Sequence, residues 1–162
     1  MKLSLSLNTR LSTRQATAAD RDKIGLFLAE MLRDFDLDLD HYGVDSDLMK
    51  FPESYQGGYF GLIMDDVDLK IVGTFALYAM SDQVAEIRKM YLHPKLRGQG
   101  IGKQLLKFIE EKAVDLGFVR LELETATSMK AARALYEKNG FIEMEPMHNK
   151  ARCQHRYFKQ IK

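Results

Sequence analysis

The chain has 162 residues, 46% of them apolar and 29% charged, with a formal net charge of +1. A chain of this length fits one domain and can bury roughly 70% of its unfolded surface. The near-zero charge gives no global field for nucleic acid or an anionic membrane. The lone Cys153 excludes an internal disulfide framework and a multi-cysteine metal site, and fits a reducing, cytoplasmic setting. No apolar run approaches the length of a membrane span.

Residues 1–10 alternate too strictly and are too polar for a signal-peptide core, so they read as a leading strand or a loose tail. Leu11 to Gln15 reads as a first strand. Thr17-Ala18-Ala19-Asp20 is a capping box with Asp in place of Glu, and it opens a helix to about Arg33. Ile24, Phe27, Leu28, Met31 and Leu32 share one face of that helix.

The stretch 34–47 carries Asp34, Asp36, Asp38, Asp40, Asp45 and Asp47 among Phe35, Leu37, Leu39, His41 and Tyr42. One reading is a solvated loop with a short helix packed by its apolar side. The other is an acidic lip that attracts a cation such as an amine. A calcium loop is set aside, because Leu39 and Asp45 stand where an EF-hand needs Gly and Glu.

A loop with Pro52 and Gly57-Gly58 leads to a strand over Tyr59–Met64. Asp65 to Asp68 turns the chain into a longer strand, Leu69–Met80, where Gly73 marks a bulge or a close backbone approach. Ser81-Asp82-Gln83 turns it again into Val84–Leu92, so these three strands form a meander. Gly102–Leu116 is an amphipathic helix stopped by Gly117, and Phe118–Thr125 alternates as a strand. Strand, turn, helix and strand make a parallel crossover between strands four and five. A helix over Ser128–Lys138, a short strand near Phe141 and a closing strand over Gln154–Ile161 complete the order β-α-α-β-β-β-α-β-α-β-β. The expected class is α/β. A central six- to seven-stranded mixed sheet, antiparallel in its first half, carries about four helices.

The stretch Met90–Gln104 carries the strongest functional signal. A strand meets His93-Pro94, then Arg97-Gly98-Gln99-Gly100-Ile101-Gly102, then a helix that begins without a Ser, Thr, Asp or Asn cap. Glycines at every second position let a ligand approach the backbone. The free N–H groups and the helix dipole make an anion site, with Lys95, Arg97 and Lys103 nearby. A P-loop is excluded, since Gln104 follows Gly102-Lys103 and Arg97 occupies the first glycine position. The spacing also departs from the dinucleotide fingerprint. By itself the turn has a second, less favoured reading as a tight strand-to-helix connection.

Arg97, Gly100 and Gly102, preceded by Met90-Tyr91-Leu92-His93-Pro94, resemble the acyl-CoA loop of the GNAT acetyltransferase superfamily. A second stretch resembles that family's later motif: Leu121-Glu122-Leu123-Glu124-Thr125, then a helix with Ala132, Leu135 and Tyr136, then Gly140-Phe141. Together they span Ile87 to Phe141, and the element order is similar to the GNAT fold. One departure is Met129, which stands where the family often has an asparagine that helps hold the pantetheine arm.

The resemblance implies acetyl-CoA bound by Met90, Tyr91, Leu92, Arg97, Gly98, Gln99, Gly100, Ile101, Gly102, Lys103 and Tyr136, with the backbone of Met90 and Leu92 pairing with the pantetheine amides. It implies no metal. It implies transfer to a primary amine of a small molecule, amino acid or peptide by direct attack in a ternary complex. Tyr136 matches the residue placed beside the thioester sulfur as acid, or else it is a core tyrosine with a satisfied hydroxyl. Glu86 stands where some members have a base, or else it is a strand carboxylate paired with Arg88 or Lys89. Cys153, near His148 and His155, reads as a small buried hydrophobe rather than a nucleophile. Met129, Met144 and Met147 read as gap fillers or an apolar entrance. The acceptor would be framed by 35–59 and 144–152, with Asp36, Asp38, Asp40, Tyr42, Tyr55 and Tyr59 on one side and His148, Lys150 and Arg152 on the other. Asp38, Tyr42 and Tyr59 are the named substrate residues, since acids and aromatics suit an ammonium group. A homodimer through a sheet edge and a non-catalytic acyl-CoA sensor on the same scaffold are also compatible with the resemblance.

Overall fold

A computed structural model describes residues 10–147, 150 and 152–162. His148 and all but Arg10 of the expected leading strand or tail lie outside the described residues. The strands are β1 Leu11–Gln15, β2 Tyr59–Asp65, β3 Lys70–Ala79, β4 Val84–Leu92, β5 Arg120–Thr125, β6 Ile142–Met144 and β7 His155–Gln160. The α-helices are α1 Arg21–Arg33, α2 Ile101–Asp115 and α3 Lys130–Lys138. The strands form one seven-stranded sheet in the order β1-β2-β3-β4-β5-β7-β6. Among the described residues only β4 and β5 run parallel, as a strand–helix–strand crossover requires. α1 opens with the expected capping box: Thr17 N–H donates to Asp20 at 2.8 Å.

One expected helix is absent. The segment after α1 turns repeatedly, and its regular pieces are 3₁₀ turns over Ser46–Lys50 and Glu53–Tyr55. The flanking helices therefore number three rather than about four among the described residues. Asp side chains compete for backbone N–H groups, and here Asp45 accepts from the Asp40 N–H at 2.9 Å.

Two apolar layers sandwich the sheet. Ile24, Phe27, Leu28 and Met31 of α1 pack with Phe60, Leu62 and Ala76. On the other face, Leu105, Leu106, Phe108 and Ile109 of α2 pack with Phe75, Leu77, Ile87, Leu121 and Leu123, and Tyr136 of α3 joins them. Gly73 follows a register break between β2 and β3; a Cβ there would stand 2.7 Å from Ile63.

Two features of β4 open the sheet. Its pairing with β5 covers only Val84–Ile87 against Arg120–Leu123, so the strands part beyond Ile87. A bulge also lies at Lys89, whose φ is 52°, and the β3–β4 register shifts between Thr74 and Ala76. The Thr74 hydroxyl donates to the Lys89 carbonyl at 2.6 Å and secures the kink. The extra residue reverses the alternation. Arg88 packs on Tyr78 on the α1 side, whereas Met90 and Leu92 pack on the α2 side. Among the described residues no helix is long and apolar enough to cross a membrane.

Candidate active site

A cavity of about 670 Å³ runs from the glycine turn, through the gap between β4 and β5, to the α1 side of the sheet. At its first end, Gly98 and Gly100 have φ of 72° and 77°, and a Cβ at either would meet nothing within 4 Å. Left-handed backbone beside open space is what a ligand-cradling turn needs. Gly100 caps α2 without a side-chain hydrogen bond, so the first-turn N–H groups are free for an anion. Gly102 is tight instead, with Leu135 3.3 Å from its would-be Cβ. Lys103 lines this end. Arg97 lines it too, but its Nε donates to the Leu92 carbonyl at 2.9 Å, which anchors the turn to β4.

Of the expected cofactor residues, Met90, Tyr91, Leu92, Arg97, Gly98, Gly100, Gly102, Lys103 and Tyr136 line the cavity. Gln99 turns back to donate to the Lys95 carbonyl at 2.6 Å, and Ile101 is buried in the core. Met129 lines the wall, packs with Leu32 and Ala126, and accepts from the Thr125 hydroxyl at 3.5 Å.

Tyr136 stands mid-cavity, with its ring against Phe141 and Tyr157. Burial, and then Tyr91, push its phenol well above the usual range, so it stays protonated. Its one hydrogen-bond neighbour is the Met90 sulfur at 3.8 Å, a weak acceptor.

The far end is charged. Glu86 lies on the wall, held by Arg88 through two bonds of 3.0 and 3.1 Å. Behind Arg88 and Lys89 stands a buried network that the sequence did not reveal as a unit. Lys89 Nζ lies 2.6 Å from Asp45 and 3.2 Å from Asp47. Arg152 also pairs with Asp45, and the Tyr55 hydroxyl donates to Asp47. Burial would raise the Asp45 carboxyl, but Lys89 and Arg152 outweigh it and hold the group below the usual range. Glu124, Cys153 and Lys150 complete this end. Burial, and then Glu124, push the Cys153 thiol up to about 12, which leaves it protonated and a poor nucleophile.

The structure does not bring the three named substrate residues to the cavity wall. Tyr42 is 97% exposed. Asp38 approaches only through its backbone, where its carbonyl accepts from Arg152 at 3.3 Å. Tyr59 stacks on Phe75 under Lys112, on the α2 side of the sheet. Strand alternation puts it there: its neighbour Phe60 faces α1. Asp45 and Asp47 of the acidic run turn inward as counterions instead of forming a lip.

The model of the acetyltransferase (GNAT) family matches residues 27–141. The uncharacterized N-acetyltransferase YjgM of Escherichia coli is 38% identical over 73 residues, which are 45% of this chain and 44% of that protein. The chain thus spans less than half the length of that relative. The aminoalkylphosphonate N-acetyltransferase of Salmonella typhimurium is 26% identical over 141 residues, 79% of this chain and 82% of that protein. Among solved structures, an acetyltransferase of the GNAT family from Staphylococcus aureus superposes with a TM-score of 0.82 at 20% identity, covering 94% of this chain and 99% of that one.

Proposed function

This chain belongs to the acetyltransferase (GNAT) family, and from that premise we propose that it moves an acetyl group from acetyl-CoA to a primary amine of a small molecule, amino acid or peptide, by direct attack with both bound. The observation that carries this reading is one cavity joining an uncapped helix start, a parted pair of strands and a protonated tyrosine whose hydroxyl donates to a thioether. The glycine turn fits the proposed ligand, because its two left-handed glycines border open space. Gly98, Gly100 and Lys103 would hold the phosphates, and the β4 backbone beyond Ile87, free of β5, would pair with the pantetheine amides. Acetyl-CoA supplies an acyl carbon with a thiol leaving group. Tyr136 then donates a proton at its hydroxyl to the departing sulfur. A carboxylate on the wall, Glu86 or Glu124, takes a proton from the acceptor's nitrogen. The Salmonella relative is named for acetylating aminoalkylphosphonates, amines that bear an anionic group, and Lys150 at the far end suits such an acceptor.

The test is a thermal melt with acetyl-CoA, with desulfo-CoA as a second ligand and NADH as control. At about 100 times Kd, binding adds about 2.7 kcal/mol, a rise of about 5–10 °C for a chain this size. A shift with both CoA species, none with NADH, and thiol release with an amine support the reading. No shift at saturating acetyl-CoA overturns it.

A further inference from the structure

The cavity wall carries two carboxylates, and they differ in what already holds them. Glu86 is clamped by Arg88 through both oxygens. Two charge-assisted bonds occupy the lone pairs it would accept with. Glu124 makes no ion pair among the described residues, and the group that holds it is the neutral Cys153 thiol, which hydrogen-bonds to it. Its cross-strand neighbour on β7 is Arg156, but that guanidinium goes to Glu122. The charged and titratable groups around Glu124 at this end of the cavity are Arg156, engaged with Glu122; Glu86 with Arg88; Lys89 and Arg152, engaged with Asp45; Lys150; and the protonated Cys153 thiol.

Position matters as much as freedom. The last β4–β5 pair is Ile87 with Leu123, so Glu124 is the first β5 residue beyond the point where the strands part. It stands at the lip of the opening through which the acceptor and the acyl group must meet. Its alternation with Leu123, which faces the α2 core, turns it to the charged side of the sheet.

We propose that Glu124 is the carboxylate that receives the acceptor's ammonium group and takes its proton, while Glu86 serves as the fixed counterion of Arg88. This rests on the acetyltransferase reading above. The ammonium releases one proton to Glu124 and on to solvent. The neutral amine nitrogen forms its bond to the acyl carbon as the carbon–sulfur bond breaks. The second nitrogen proton balances the one that Tyr136 gives to the sulfur. The substrate class this implies is a primary amine protonated at neutral pH, reaching in with its nitrogen foremost.

The experiment compares wild type, Glu124→Gln, Glu124→Asp and Glu86→Gln with acetyl-CoA and a panel of spermidine, glycine, a short peptide and 2-aminoethylphosphonate, scored by thiol release. Glu124→Gln is expected to lower kcat/KM for the best amine by about 100-fold and to remove the acidic limb of its pH profile, with Glu124→Asp in between. Glu86→Gln keeps the limb. All four keep the acetyl-CoA melt shift. A readout independent of turnover is calorimetric binding of the best amine to the CoA-loaded protein, which weakens by about tenfold in Glu124→Gln and holds in Glu86→Gln. The inference is overturned if Glu124→Gln stays within about twofold of wild type, if Glu86→Gln alone loses the limb, if amine binding is unchanged in Glu124→Gln, or if acetyl-CoA binds but no amine is turned over. Loss of the melt shift in wild type would strike the acetyltransferase reading instead.

Discussion

Lys89 is the residue whose removal tests the physical account most sharply. Its ammonium is buried and contacts two buried carboxylates, Asp45 at 2.6 Å and Asp47 at 3.2 Å. Lys89→Met keeps the stem and deletes the charge. Stripping one partner from a buried pair costs about 3–5 kcal/mol. Here each carboxylate retains another cation, Arg152 on Asp45 and Arg88 at 3.7 Å from Asp47. The lower figure of about 3 kcal/mol therefore applies, which lowers the melting midpoint by about 6–12 °C at this chain length. The assay is circular-dichroism melting at pH 7 in low and high salt. The loss should be nearly the same in both, because buried pairs are weakly screened. Lys89→Met combined with Arg152→Met should cost more than the sum of the two, since Asp45 then has no cation. A midpoint within about 2 °C of wild type, or simple additivity, would refute the reasoning.

Tyr136→Phe should lower kcat by about tenfold or more and leave the acetyl-CoA melt shift intact; an unchanged rate by thiol release removes the hydroxyl from the mechanism. Gly100→Ala should cost about 1–2 kcal/mol from its positive φ alone, and the melt shift with acetyl-CoA should shrink because the methyl stands in the open cradle. Asp20, held below the usual carboxylate range chiefly by Arg14 against burial, adds stability that is present above the unfolded pKa of about 4 and lost as pH falls below it. Arg14→Met should therefore flatten the acid side of the stability–pH curve, measured by urea melts between about pH 2 and 7.

Much of this fold was legible because local rules and global packing agree. Strand alternation, the Thr17–Asp20 box and the glycine stops put the helices within a few residues of their observed bounds. The glycine turn and the Tyr136 helix could be read as one site because both stretches resemble motifs of the same acetyltransferase family. The acceptor side could not. Lys89 adopts a positive φ that favours glycine, so nothing in a period-two reading foretold that β4 changes faces there. Period two already puts Arg88 beside Glu86; the bulge sends Lys89 to Asp45, a contact 44 residues away in the chain. Alternating Asp residues look alike in sequence, whether they end as a buried counterion, as Asp45 does, or as part of an exposed loop. Glu124 was visible only as the polar half of an alternating strand; its lack of an ion pair is a tertiary fact.

The parting of β4 from β5 also has a mechanical meaning. Four residue pairs, roughly 13 Å of zipper, are all that stitch the four-strand half of the sheet to the three-strand half. On the α1 side a single carboxylate ties across the same seam: Asp45 comes from the segment before β2, and it meets Lys89 on one half and Arg152, just ahead of β7, on the other. The two halves of the sheet are thus joined by a short seam, an ionic clasp on one face and the α2 layer that packs on both halves on the other, with the cleft opening where the seam ends.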